Sequence, residues 1–230
     1  MIVAANFKTN KTRKETLEYL KKLDEVDFGN IKVAVFPPAS ALFERSYLGV
    51  QNAYPTINGA FTGEIGLEQI QEYNIKKILI GHSERRHILK ESQEFIADKF
   101  NFFKAHSFEI FYCIGEPLEV RKKGLNEVIE YLKKQLIGID LNYEKLIIAY
   151  EPVWAIGTGV SASLEEIKQT HKEIRKITDK PILYGGSVKP ENIKEIISLP
   201  NVNGALIGSA SLKVENFIKM IEIAKKVSER

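Results

Sequence analysis

Several places in the sequence combine polar residues with a spacing that chemistry can use. Asn6-Phe7-Lys8 follows an apolar run. On an extended strand its amide and ammonium would share one side, because side-chain direction alternates with a period of two. An inward lysine could hold an anion and offset developing negative charge; a solvated loop lysine is the other reading of the same spacing. Gly81-His82-Ser83-Glu84-Arg85-Arg86 follows another apolar run. Neutral imidazole donates from one nitrogen and accepts at the other, so His82 could serve as a general acid or electrophile, or be a hydrogen-bonded loop residue. His87, His106 and His171 have no metal-ligand spacing to one another and read as structural.

Glu151 ends a third run and is followed by Pro152-Val153-Trp154-Ala155-Ile156-Gly157-Thr158-Gly159. A carboxylate placed before proline sits on a stiff root, whereas Gly157 and Gly159 supply backbone freedom, the build of a lid that closes. An apolar lid would desolvate the carboxylate and raise its pKa toward usefulness as a base. The only tryptophan of the chain lies in this stretch, which argues against an incidental surface loop. Two further runs end in Tyr184-Gly-Gly-Ser187 and Ile207-Gly-Ser-Ala-Ser211. Glycine lets backbone N–H groups approach an anion closely, and two such loops on consecutive strands would form a phosphate cradle.

Eight short apolar runs must position these groups: 2–7, 31–36, 48–52, 77–80, 109–114, 146–150, 181–184 and 204–207. Most lack a polar alternate, as suits strands buried on both faces of a parallel sheet. Between them lie helical stripes, Leu125, Val128, Ile129, Leu132 and Leu136 in one segment and Leu164, Ile167, His171 and Ile174 in another. Ser163 with Glu166 reads as a capping box for the second. Strand alternating with helix over eight units predicts an α/β fold, a single (β/α)8 barrel domain over residues 1–230. Active groups then belong where strands end and βα loops begin.

Composition sets the outer limits. Of 230 residues, 44% are hydrophobic and 27% charged, the balance of a folded globule. The charge of +3 comes from 33 basic and 30 acidic residues without a basic stripe, so no nucleic-acid partner is expected. No apolar run is long enough to span a bilayer, and Met1 leads directly into what reads as a first strand rather than a secretory segment. Cys113 is the only cysteine, so no intrachain disulfide can form and a reducing, cytoplasmic setting is expected.

Together these runs resemble the triosephosphate isomerase family, from Asn6-Phe-Lys8 to Gly208-Ser-Ala-Ser-Leu212. Gly81-His-Ser-Glu-Arg-Arg86 and Tyr150 to Gly159 are close to signature strings of that family, and Ala60-Phe-Thr-Gly-Glu64 resembles its interdigitating dimer loop. The resemblance implies that Glu151 is the base moving a proton between two carbons of a small phosphorylated triose, and that His82 polarises the carbonyl. Lys8 and Asn6 would support the enediolate. The backbone amides of Gly157, Ser187, Gly208 and Ser209 would hold the phosphate beneath a lid of residues 152–159. Ser83, Glu84 and Cys113 would stand beside the site, and Thr62 would reach a second subunit, giving a homodimer. Neither a metal nor an organic cofactor is implied.

Some positions depart from the commoner family pattern. Phe7 and Thr9 stand where Trp and Met are frequent, Val160-Ser161-Ala162 replaces a lysine-containing lid hinge, and Ser209 replaces a second glycine. A sugar-phosphate epimerase or an indole-forming lyase would share the glycine loops but would not need Glu151 under this lid. A catalytically silent barrel used as a binding protein would not need Asn6, Lys8, His82 and Glu151 together.

Overall fold

A computed structural model of the chain describes residues 1–156 and 161–229. Gly157, Thr158 and Gly159 of the expected lid, and Val160 of its hinge, lie outside the described residues. Seven parallel strands form one sheet: β1 Ile2–Asn6, β2 Lys32–Phe36, β3 Lys77–Ile80, β4 Glu109–Ile114, β5 Leu146–Tyr150, β6 Ile182–Tyr184 and β7 Gly204–Ile207. Their order is β2-β1-β7-β6-β5-β4-β3. Burial on both faces, complete in β1, β5 and β7, is what the uninterrupted apolar runs predict.

The 48–52 run does not form a strand of its own. Single parallel bridges, Val35 with Leu48 and Val50 with Ile78, join it to β2 and β3 and close the ring. Gly49 explains the weakness. A Cβ there would fall 2.3 Å from the Phe36 ring, so the aromatic fills the space a strand side chain would use, and glycine has nothing else to pack. The architecture is a (β/α)8-type barrel with one degenerate strand.

Inside the ring, alternate strand residues pack as small and large neighbours, Ala4, Ala34 and Ala149 among Phe36, Phe111 and Leu206. The Phe36 and Phe111 rings meet edge to face at 5.1 Å. The opposite strand faces pack against the helices: α1 Arg13–Leu23, α2 Leu67–Gln71, α3 Ser83–His87, α4 Gln93–Ala105, α5 Leu118–Arg121, α6 Leu125–Lys134, α7 Leu164–Arg175, α8 Ile193–Ile197 and α9 Val214–Ser228. The Ser163–Glu166 capping box is present at the start of α7, and Thr12 with Glu15 forms another on α1. Each such cap stabilises its helix by about 1 kcal/mol. Within the α7 stripe Ile167, His171 and Ile174 are buried, whereas Leu164, in the first turn, is exposed.

Candidate active site

The strand ends bring the predicted groups to one mouth of the barrel. Asn6, Lys8, His82, Glu151, Ile156, Ser187, Gly208 and Ser209 line a common cavity of about 370 Å³, together with Asn10, Gly185, Lys189 and Leu212. Lys8 arrives by a different route from the one its spacing suggests. The strand stops at Asn6, and Lys8 has φ +52, a left-handed turn uncommon for a non-glycine residue. The Asn6 Oδ1 accepts from the Lys8 N–H at 2.9 Å and holds that turn. Lys8 Nζ lies 2.8 Å from Glu84 Oε1.

His82 caps the N-terminus of α3. Its Nδ1 accepts from the Glu84 N–H at 3.3 Å, which places the ring proton on Nε2, and Nε2 lies 3.1 Å from Glu151 Oε1. Burial disfavours the imidazolium while the Glu151 carboxylate favours it, and the net bias of this pair is upward from the ordinary histidine range. The Glu84 amide works in the other direction, because only an unprotonated Nδ1 can accept it. With Nδ1 accepting, the ring aims its Nε2 N–H at a carboxylate.

Glu151 is 3% exposed. Its backbone N–H donates to the Ile114 carbonyl at 2.7 Å, and its Oε2 accepts from the Ser83 N–H at 3.4 Å. Two glycines make room for it. A Cβ at Gly115 would lie 1.7 Å from the Glu151 carbonyl oxygen, and one at Gly185 would lie 2.7 Å from its Cγ. Burial pushes the Cys113 thiol well above its ordinary range, and the neighbouring Glu151 carboxylate adds to that. The thiol therefore stays neutral beside the carboxylate.

The lid root is tied to the adjacent strand end. Trp154 Nε1 donates to Glu116 Oε1 at 3.0 Å and the Val153 N–H donates to the Glu116 carbonyl at 3.0 Å. Glu116 also pairs with the Arg121 guanidinium at 2.7 Å and accepts from the Tyr150 hydroxyl at 3.2 Å. Sequence reading missed Glu116, although it closes the same Cys-Ile-Gly-Glu string that contains Cys113. Of the expected lid, Pro152, Val153, Trp154 and Ala155 do not line the cavity and Ile156 does.

The glycine loops present free donors. The backbone amides of Ser187, Gly208 and Ser209 donate to no acceptor among the described residues. Ser209 opens a 3-10 turn and is not among the residues with positive φ, so replacing glycine there leaves the amide in place. Ser211 Oγ donates to the Gly208 carbonyl at 2.7 Å, and Asn192 Nδ2 donates to the Ser187 carbonyl at 3.0 Å. The loops are thus fixed through their carbonyls with N–H groups left over. Lys189 on the rim is a cation that the spacing did not single out. Thr62 stands on an exposed loop and does not line the cavity. Among the described residues no group of three His, Cys, Asp or Glu side chains could hold a metal ion, and no helix is long and apolar enough to cross a membrane.

The geometry is that of a buried carboxylate facing an imidazole N–H donor, with an ammonium and spare amides around one cavity. The family model described as triosephosphate isomerase matches residues 1–224. A triosephosphate isomerase of a Nitratiruptor species is 57% identical over 99% of this chain and 100% of its own length. The Sulfurimonas denitrificans protein of that name is 52% identical over 100% of this chain and 98% of its own, and the Helicobacter pylori one 50% identical over 96% and 97%. The chain belongs to the triosephosphate isomerase family.

Proposed function

We propose that this chain interconverts dihydroxyacetone phosphate and D-glyceraldehyde 3-phosphate, serving glycolysis and gluconeogenesis, with Glu151 as the base and without metal or organic cofactor. The observation that carries this reading is the His82 Nε2 to Glu151 Oε1 pairing at 3.1 Å inside the cavity. A substrate carbonyl takes over the Nε2 proton that Glu151 accepts in this structure. The carboxylate is then free to remove a proton from the carbon beside that carbonyl. The electrons move to the carbonyl oxygen, where the imidazole N–H and the Lys8 ammonium stabilise the enediolate, and Asn6 holds the Lys8 turn. Returning the proton to the neighbouring carbon completes the isomerisation.

The unpaired amides of Ser187, Gly208 and Ser209 receive the phosphate, with Gly157 of the lid contributing a further amide. Closure of the lid excludes water, which suppresses phosphate loss from the enediolate and strengthens the charge interactions. Ser83, Glu84 and Cys113 support this set from behind, Ser83 through its N–H to Glu151 and Glu84 through Lys8. A coupled spectrophotometric assay on chelator-treated protein tests the reading, and absence of turnover would overturn it.

The same reading makes the 230 residues one barrel domain that works as a homodimer in the cytoplasm. Ile88 is 71% and Leu89 59% exposed along a groove that also includes Lys8, Gln51, Asn52 and Arg85. Exposed Ile57 and Phe61 lie on or beside the loop that carries Thr62, and Phe61 stacks on Tyr54 with ring centroids 4.1 Å apart. Insertion of that loop into the groove of a second copy covers both apolar sets and brings Thr62 to the Lys8 side of the site. Sedimentation is expected to give a dimer; a stable, fully active monomer would defeat this.

A further inference from the structure

Gln135 is placed where it can set the position of the Glu151 carboxylate without touching it. It caps the C-terminal end of α6 and is buried. Its carboxamide meets the Gly115 backbone twice: the Gly115 N–H donates to Oε1 at 2.8 Å, and Nε2 donates to the Gly115 carbonyl at 3.0 Å. Gly115 is the first residue beyond β4, where the regular ladder has ended. The side-chain amide does for it what a neighbouring strand does for the residues before it, satisfying both buried backbone groups.

Gly115 in turn bears on the base. With its Cα packed against the Glu151 carbonyl as closely as the absent Cβ allows, a shift of Gly115 is transmitted to the Glu151 backbone. A second arm runs from the same residue to the electrophile. The Gln135 carbonyl accepts from the Tyr112 hydroxyl at 2.5 Å, and that hydroxyl accepts from Arg86 Nη2 at 3.0 Å. Arg86 Nε donates to the Gly81 carbonyl at 2.7 Å, one residue before His82. The roots of Glu151 and His82 therefore meet at Gln135, the first through Gly115 and its packing against the Glu151 backbone, the second through hydrogen bonds.

We propose that Gln135 is a positioning residue for the isomerisation, holding Gly115 so that the Glu151 carboxylate stays aligned with His82; this rests on Glu151 being the base. Gln135→Leu leaves both Gly115 groups buried without a partner. It is expected to lower kcat by ~10-fold or more, since small misplacements of a reacting group are costly, with KM and the inhibition constant of inorganic phosphate changed by less than about twofold. Leu132→Val, on the same helix, serves as the control for lost stability and is expected to leave kcat within about twofold at a comparable fall in melting temperature.

Glu151→Gln and the double variant with Gln135→Leu complete a cycle. If Gln135 acts through the carboxylate, the Gln135→Leu factor disappears in the Glu151→Gln background. A Gln135→Leu rate equal to that of the control, or a factor that persists undiminished in the double variant, overturns the positioning role. Full turnover by Glu151→Gln alone overturns the base assignment instead. Should Gln135→Leu fail to fold, Gln135→Glu carries the test, since it keeps the acceptor for the Gly115 N–H and removes the donor to its carbonyl.

Discussion

Two carboxylates stand at neighbouring strand ends, and the protein surrounds them in opposite ways. Glu116, just past β4, is fully buried and meets a guanidinium, a tyrosine hydroxyl and an indole N–H. Glu151, just past β5, is nearly as buried, but among the described residues its side chain meets no guanidinium or ammonium, only an imidazole, one long backbone N–H and the Cys113 thiol, with glycines behind it. A carboxylate whose one oxygen gathers a cation and two fixed donors is committed to holding chain segments together, even with its buried Oε2 unpartnered. One whose imidazole donor is displaceable can exchange that donor for a substrate and take a proton. Burial is common to both, so partner chemistry separates the tether from the proposed base.

Substitution of each carboxylate by its amide gives the sharpest break in that comparison. Glu151→Gln is expected to lower kcat by ~10³-fold with little loss of stability, while still binding a phosphorylated enediolate mimic. Glu116→Gln leaves the Arg121 charge without its buried partner and is expected to cost about 3 kcal/mol of stability, read by denaturant titration. Its kcat stays far above that of Glu151→Gln; equal rate losses would erase the distinction between tether and base.

His171 extends the comparison to a buried group that, among the described residues, has no partner of opposite charge. Its ring packs against Tyr150 at 5.7 Å, and burial depresses its pKa from 6.5 to about 4, partly countered by the Asn201 carbonyl at Nδ1. A folded value below the unfolded one means that the folded state prefers the neutral ring. Its contribution is therefore present above pH 6.5 and is lost as the pH falls toward about 4. The loss amounts to roughly 3 kcal/mol, and melting curves of His171→Gln should be correspondingly flatter over that window. Parallel curves would remove His171 as the source.

The partner of the proposed base gives the next effect. His82→Gln keeps an N–H donor but loses the imidazole's acid–base match to an enediol, and kcat should fall by ~10²-fold. A loss as small as twofold would mean that Glu151 works without a tuned electrophile. Gly185→Ala is gentler. Its Cβ would press on Glu151 Cγ, so kcat should drop by about 10-fold with roughly 1 kcal/mol of destabilisation, whereas no kinetic change would show that the carboxylate has slack.

The sequence displayed the groups more fully than the means of holding them. Apolar runs without polar alternates located seven strands, and an eighth failed because the Phe36 ring claims the space beside Gly49, a contact no local pattern encodes. Asn6, Lys8, His82 and Glu151 were legible as polar residues at strand ends. The pleat predicted for Lys8 is a left-handed turn, since the strand stops two residues earlier. The tethering role of Glu116 and the clamp at Gln135 were not legible, because their partners lie on other elements and become neighbours only when the ring is formed. The capping box at Ser163 was read correctly because its chemistry spans three residues.

The bridging segment at residues 48–50 makes the barrel a rolled ribbon with a narrow fastener. Among the described residues, backbone hydrogen bonds from the Val35, Gly49, Val50 and Leu79 N–H groups are what join its two edges along this line. Lys8 follows β1, the neighbour of the β2 edge, and His82 follows β3, the other edge, so the Lys8–Glu84 ion pair crosses the line at its upper end. Returning activity during refolding is thus a chronometer for ring closure: helices and most of the sheet can be complete while turnover is still absent. In native-state hydrogen exchange, the amides of the fastener should be released before those of β4 and β5.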